Sequence, residues 1–146
     1  MYKRILLPTD GSPISRKAVK QGIAFAKAIG AGVVGFYSPH DYRAVLQTQY
    51  VSPFLTTEDF EELAKESADK HLGFIEKTAA AAGVPFDRAY TVSAAPWEAI
   101  IEAAKKKRCD LILMGSHGRS GLAGVVLGSQ TTKVLTHSKI PVLVTR

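Results

Sequence analysis

Five short apolar runs, each parted from the next by a stretch long enough for a helix, constrain this chain more than any other feature. They are "YKRILLPT" from Tyr2 to Thr9, "GVVGFYS" from Gly32 to Ser38, "FDRAYTV" from Phe86, "DLILMG" ending at Gly115, and "IPVLVTR" from Ile140. Antiparallel strands can be joined by a tight turn, whereas parallel strands need a crossover of a dozen or more residues, usually a helix. The fourth run is apolar almost throughout, as a strand covered on both faces requires. This alternation predicts an α/β domain, an open, doubly wound, five-stranded parallel sheet with helices on both faces; the order 3-2-1-4-5 is taken for it, which makes the ends of the first and fourth strands neighbours.

The connecting segments carry helix signals. Ser12 followed by Pro13 supplies a capping oxygen and a proline at the first helical position. Ile14, Ala18, Ile23, Ala26 and Ile29 then recur on one face, and Gly30 closes the helix. A charged amphipathic helix is predicted over Thr57 to Ala82, ending before Gly83. Ser93 to Pro96 introduces the helix "WEAIIEAAKKK", and "SQTTKVLTHS" forms a short one before the last strand. Residues 39–56 make a connection longer than most in compact domains, with Tyr42, Tyr50 and Phe54 in it. A lid over a ligand, a dimer contact, a cover for the core edge and a disordered segment all remain open for it.

At 146 residues and 46% hydrophobic, the chain is expected to form one domain over residues 1–146 with a sizeable core. No apolar run approaches the ~20 residues that cross a bilayer, and the three apolar residues before Pro8 are too few for a secretory signal. A single cysteine, Cys109, cannot form an internal disulfide, which fits a reducing cytoplasm. It reads as a small residue at the start of a strand. The net charge of +6 makes anionic ligands plausible partners. Its one dense run, "KKKR" at Lys105 to Arg108, complements a helix C-terminus and does not make a nucleic-acid surface, which interleaves basic with aromatic residues.

In open α/β sheets, ligands bind beyond the carboxyl ends of the strands, where the strand order reverses. Here the first strand ends in "PTDGS" and the fourth in "MGSHG", so Asp10 would face a glycine-rich loop. The loop carries no P-loop lysine, and its glycines do not form the dinucleotide fingerprint. It nevertheless suits an anion. Gly115 and Gly118 would let the backbone approach a ligand closely and adopt positive φ. Gly128 and Ser129 stand where a helix begins, so free amides and the positive dipole end would meet a phosphate. The hydroxyls of Ser116 and Ser129 add donors, and Arg119 adds charge. A plain glycine-rich connection capped by serine explains the same residues nearly as well.

The stretch "MGSHGRSGLAGVVLGSQTTKVL", followed by "PVLV", closely resembles the universal stress protein family. The nucleotide-binding branch of that family carries glycine, two residues, glycine, nine residues, then glycine and serine or threonine; Gly115, Gly118, Gly128 and Ser129 match it. "RILLPTDGS" resembles the family's first strand and its aspartate, so the likeness spans the chain. It implies a Rossmann-like sheet binding ATP at the switch point. Asp10 would lie near ribose and phosphates, Pro8 and Thr9 would shape the wall, and backbone atoms around Tyr37, helped by Met114, would meet the adenine edge. Gly115, Gly118, Arg119, Gly128, Ser129 and Gln130 would line the phosphate path, with Mg2+ held through phosphates and water. The resemblance also implies a cytoplasmic homodimer formed through the last strand. Two departures stand out: Tyr37 where the family often has an aliphatic residue, and "SAAPWEA" in place of a glycine before the third helix.

Catalytic signals are sparse. His40, His71, His117 and His137 show no metal-ligand spacing, and no serine lies in a G-x-S-x-G elbow. His117 is expected to hydrogen-bond its own loop rather than a phosphate. Asp10 is the one acid near the proposed site, so at most slow ATP hydrolysis or self-phosphorylation is expected. Three readings follow: a regulatory module in stress response that binds adenine nucleotide, a weak ATPase or self-phosphorylating protein, and an interaction domain that has the fold but uses no nucleotide.

Overall fold

A computed structural model describes residues 1–39, 41, 55–118 and 127–146. The described elements alternate along the chain: β1 (Arg4–Thr9), α1 (Pro13–Ile29), β2 (Gly32–Tyr37), α2 (Thr57–Ala82), β3 (Phe86–Tyr90), α3 (Pro96–Lys106), β4 (Leu111–Gly115), α4 (Ser129–His137) and β5 (Val142–Thr145). All strand pairs are parallel and the order is β3-β2-β1-β4-β5. Strand order and helix positions agree with the sequence reading; the strands are trimmed by one or two residues at their ends.

The helix boundaries have local causes. Ser12 accepts the Ser15 amide at 3.2 Å and Pro13 opens α1, while Gly30 closes it with φ 71°, in the left-handed region. Thr56 and Asp59 form a reciprocal capping box at the head of α2. Basic residues Lys105 and Lys106 lie in the last turn of α3, where cations complement the dipole.

Successive strand residues point to opposite faces, and the core divides accordingly. Ile5, Leu7, Val33, Leu111 and Leu113 pack under α1 and α2 with Ile23, Leu72 and Ile75. Leu6, Val34, Phe36, Ile112 and Met114 pack under α3 and α4 with Ile100, Ala104 and Val134. Helices therefore cover both faces.

Register positions the site. The β1–β2 pairing continues to Thr9 opposite Tyr37, and β4–β5 to Gly115 opposite Thr145. Between β1 and β4 it holds only at Ile5 opposite Leu111 and Leu6 opposite Ile112. The two central strands part just where the chain switches direction across the sheet. Such a switch point is where open α/β sheets hold their ligands.

The loose edge at β3 is tied by charges. The Lys107 ammonium, 3.0 Å from Asp87, holds that carboxyl below the ordinary aspartate value. Arg88, and then Lys65, do the same for Asp69. A depressed folded-state pKa contributes stability that is present above the unfolded value near 3.8 and lost as pH falls through the folded one. Urea titrations should therefore give an unfolding free energy that is level above about pH 5 and declines below about pH 4. The Asp69→Asn/Asp87→Asn variant should show a shallower decline; an equal one would remove these pairs from the account.

Candidate functional site

The crevice is built by two turns. After β1, Thr9 is buried; its Oγ1 accepts the Gly11 amide at 3.1 Å and lies 3.0 Å from Ser15 Oγ. Asp10 Oδ1 accepts the Ser12 amide at 2.9 Å, which fixes the carboxylate over the head of α1. Gly11 completes the turn at φ 80°, a conformation that favours glycine.

After β4, the chain turns at Ser116–Gly118 and meets the head of α4. Gly128 donates its N–H to the Ser116 carbonyl at 2.7 Å, and Thr131 Oγ1 donates to the Gly115 carbonyl at 3.0 Å. These bonds hold both ends of the glycine-rich loop together. Gly128 is the N-cap of α4, and no side chain among the described residues caps it. Ser129 and the amides that follow stand at a helix N-terminus, where donors and the positive end of the dipole gather.

The two turns touch. A Cβ on Gly118 would fall onto Asp10 Oδ2, so glycine alone lets this backbone lie against the carboxylate. A Cβ on Gly128 would stand 3.4 Å from His117 Cα and 3.7 Å from the Gly118 nitrogen. Gly115 meets the first turn of α1, where its Cβ would be 3.2 Å from Ile14 Cγ2. Asp10, Gly115, Gly118 and Gly128 thus come together at the switch point, with Pro8, Thr9 and Met114 buried in the strand ends beneath.

One expectation is corrected. The left-handed glycines among the described residues are Gly11, Gly30 and Gly83; Gly115 and Gly118 are not among them. What these two positions supply is room, not positive φ.

Other predicted residues are placed differently. Gln130 Oε1 accepts the Trp97 amide at 3.0 Å, so this side chain caps the start of α3, where Ala95 offers no side-chain oxygen. Trp97 is half-buried and its ring lies 4.6 Å from that of His137. Tyr37 turns its side chain under α2: the ring is 4.7 Å from His71 and the hydroxyl 2.9 Å from Ser67 Oγ. It neither stacks in the crevice nor crowds it. Its carbonyl accepts the Thr91 amide at 3.3 Å. His117 Nδ1 lies 3.0 Å from Ser116 Oγ, so the ring does hydrogen-bond its own loop. Arg119 and most of residues 39–56 lie outside the described residues.

His71 went unnoticed as a site residue in the sequence. Nothing in the spacing of α2 announces that this side chain reaches the turn after β1, because that contact depends on how α2 packs across β2. An opening of about 420 Å³ lies between the end of β3 and α3, lined by Tyr90, Thr91, Glu98, Glu102 and Lys106 among others.

Four similarities bear on this geometry. The family described as universal stress protein matches residues 1–146. Universal stress protein MJ0531 of Methanocaldococcus jannaschii is 35% identical over 152 residues, covering 100% of this chain and 83% of that one. Among solved structures, MJ0577 of the same organism superposes with a TM-score of 0.80 at 31% identity, covering 99% of this chain and 95% of the other. A universal stress protein in complex with cAMP superposes with a TM-score of 0.73 at 25% identity, covering 99% and 97%.

Cys109 takes no part in the crevice. It is 6% exposed at the foot of β4, and burial pushes its thiol up to about 11. A thiol so shifted is almost wholly protonated, hence poorly nucleophilic, at neutral pH. A disulfide-exchange dye at pH 8 should titrate no thiol in the folded protein and one after unfolding in guanidinium; rapid labelling of the folded protein would contradict this burial.

Proposed function

Because the chain belongs to the universal stress protein family, as the match over residues 1–146 shows, we propose that it is a regulatory module that binds ATP at the crevice between β1 and β4. The observation that carries this reading is the contact of Asp10 with Gly118. A carboxylate held against bare backbone, beside a helix head that no side chain among the described residues caps, offers an acceptor for ribose hydroxyls and donors for phosphate oxygens at one switch point. The structural relative solved with cAMP supports an adenine nucleotide as the ligand.

In this reading Asp10 takes the ribose side. Backbone at Gly115, Gly118 and Gly128 and the Ser129 hydroxyl take the phosphates, joined by Arg119. Pro8, Thr9, Met114 and the strand-end backbone from Tyr37 onward form the wall against adenine. Gln130 contributes through its main chain, its side-chain oxygen being taken up at α3. Mg2+ would be held through phosphate oxygens and water. The module works in the cytoplasm, and its nucleotide state alters its shape or contacts.

Calorimetry with ATP and Mg2+ tests the site directly. Gly118→Val places a branched side chain on the Asp10 carboxylate, and Gly128→Val crowds His117 and Ser116. Each should weaken ATP binding at least about tenfold, a change of roughly 1.4 kcal/mol, while the fold persists. Unchanged affinity in both variants would contradict the site.

We also propose that the protein forms a homodimer through β5. This strand is one edge of the sheet, and Leu143 on it is 40% exposed. An apolar edge strand needs a partner or a cover. Light scattering at micromolar concentration should return about twice 15.7 kDa, and Leu143→Lys should return the monomer mass. A monomeric wild type would overturn the proposal.

A further inference from the structure

The turn that carries Asp10 is braced from a third element. Gly11 sits directly against the half-buried His71 side chain of α2: a Cβ on Gly11 would overlap the imidazole, standing 2.5 Å from Nδ1 and 3.0 Å from Nε2. Another neighbour of that ring is Tyr37, with centroids 4.7 Å apart and planes inclined by 43°. Ser67, one helical turn before His71, holds the Tyr37 hydroxyl at 2.9 Å. One face of α2 therefore grips the ends of both β1 and β2, the two strands that form one side of the crevice. Beneath the same turn, Leu72 and Ile75 anchor α2 in the core with no exposure.

We propose that His71 is a positioning residue for nucleotide binding: its ring is the wedge that sets the Asp10–Gly11 turn so that the carboxylate meets Gly118. This inference rests on the nucleotide reading above and adds to it a residue remote from the glycine loop. The argument is one of shape. Gly11 at φ 80° leaves its Cα bare on the side facing α2, and the imidazole fills that space. With the ring removed, the turn loses its floor while keeping its own bonds from Gly11 to Thr9 and from Ser12 to Asp10. Asp10 then samples positions away from Gly118, and a ligand must select the competent fraction, so its apparent affinity falls by that fraction.

The test uses the full chain as wild type, His71→Ala, His71→Phe, Asp10→Ala and the Asp10→Ala/His71→Ala pair. Two readouts are taken: ATP affinity with Mg2+ by calorimetry, and amide hydrogen exchange over residues 9–15 without nucleotide. His71→Ala should weaken ATP binding about tenfold and speed exchange in that segment by a similar factor, whereas His71→Phe, which keeps a ring on Gly11, should stay within about threefold of wild type. Removing His71 from the Asp10→Ala protein should cost less than about twofold more, because the group it positions is already gone. Unchanged exchange and affinity in His71→Ala, or equal losses in both backgrounds, would overturn the inference. Absence of ATP binding by the wild type would overturn the nucleotide reading itself, while exchange decides separately whether His71 sets the turn.

Discussion

The crevice exists because β1 and β4 stop pairing after Leu6 and Ile112 while each keeps its outer neighbour to the last residue. Between these strand ends the first turn of α1 brings Ile14 close to Gly115. Backbone groups released from a ladder must find other partners or remain hydrated. Here side chains supply several: Thr9 takes the Gly11 amide, Asp10 the Ser12 amide, and Thr131 gives its proton to the Gly115 carbonyl. The parting of the sheet is thus stabilised locally, by residues that themselves belong to the two turns.

That arrangement puts an anionic acceptor and a helix head side by side, and their charges sort the ligand. An ionised carboxylate only accepts hydrogen bonds, as does a phosphate oxygen, so the two cannot pair without a donor or cation between them. Ribose hydroxyls donate, so in the proposed binding the sugar falls to Asp10 and the phosphates to the α4 end. Mg2+ is proposed on the phosphates because no group of three or more His, Cys, Asp or Glu that could hold a metal lies among the described residues.

Much of this was legible in the chain. The helix from Thr57 to Ala82 shows its closing glycine, and α1 its Ser-Pro start, because caps are local chemistry written in adjacent residues. Alternation made the parallel sheet legible, whereas the strand order had to be supposed, because other doubly wound orders satisfy the same crossover rule. Gly115 and Gly118 were legible as close approaches but not as to their backbone conformation, since the steric demand comes from Ile14 and Asp10, about a hundred residues away in sequence. Gln130 came to the phosphate path by resemblance alone; its side-chain oxygen accepts the Trp97 amide at the start of α3, where Ala95 offers no cap. Tyr37 lay where an aliphatic residue was expected, and only the packing of α2 shows that its hydroxyl has a partner in Ser67.

The site and the core share a wall, and this limits how the site can evolve or respond. His71 touches the functional turn, and its neighbour Leu72 is wholly buried among Ile5, Leu7 and Ile75. A shift of α2 large enough to move the Asp10 turn must therefore repack that cluster, and close-packed interiors resist small continuous displacements. The other bank is tied in as well: α4 is short and Ser129 is not buried, yet Val134 is wholly buried and Thr131 bonds the Gly115 carbonyl, so both banks of the switch point are anchored in the core.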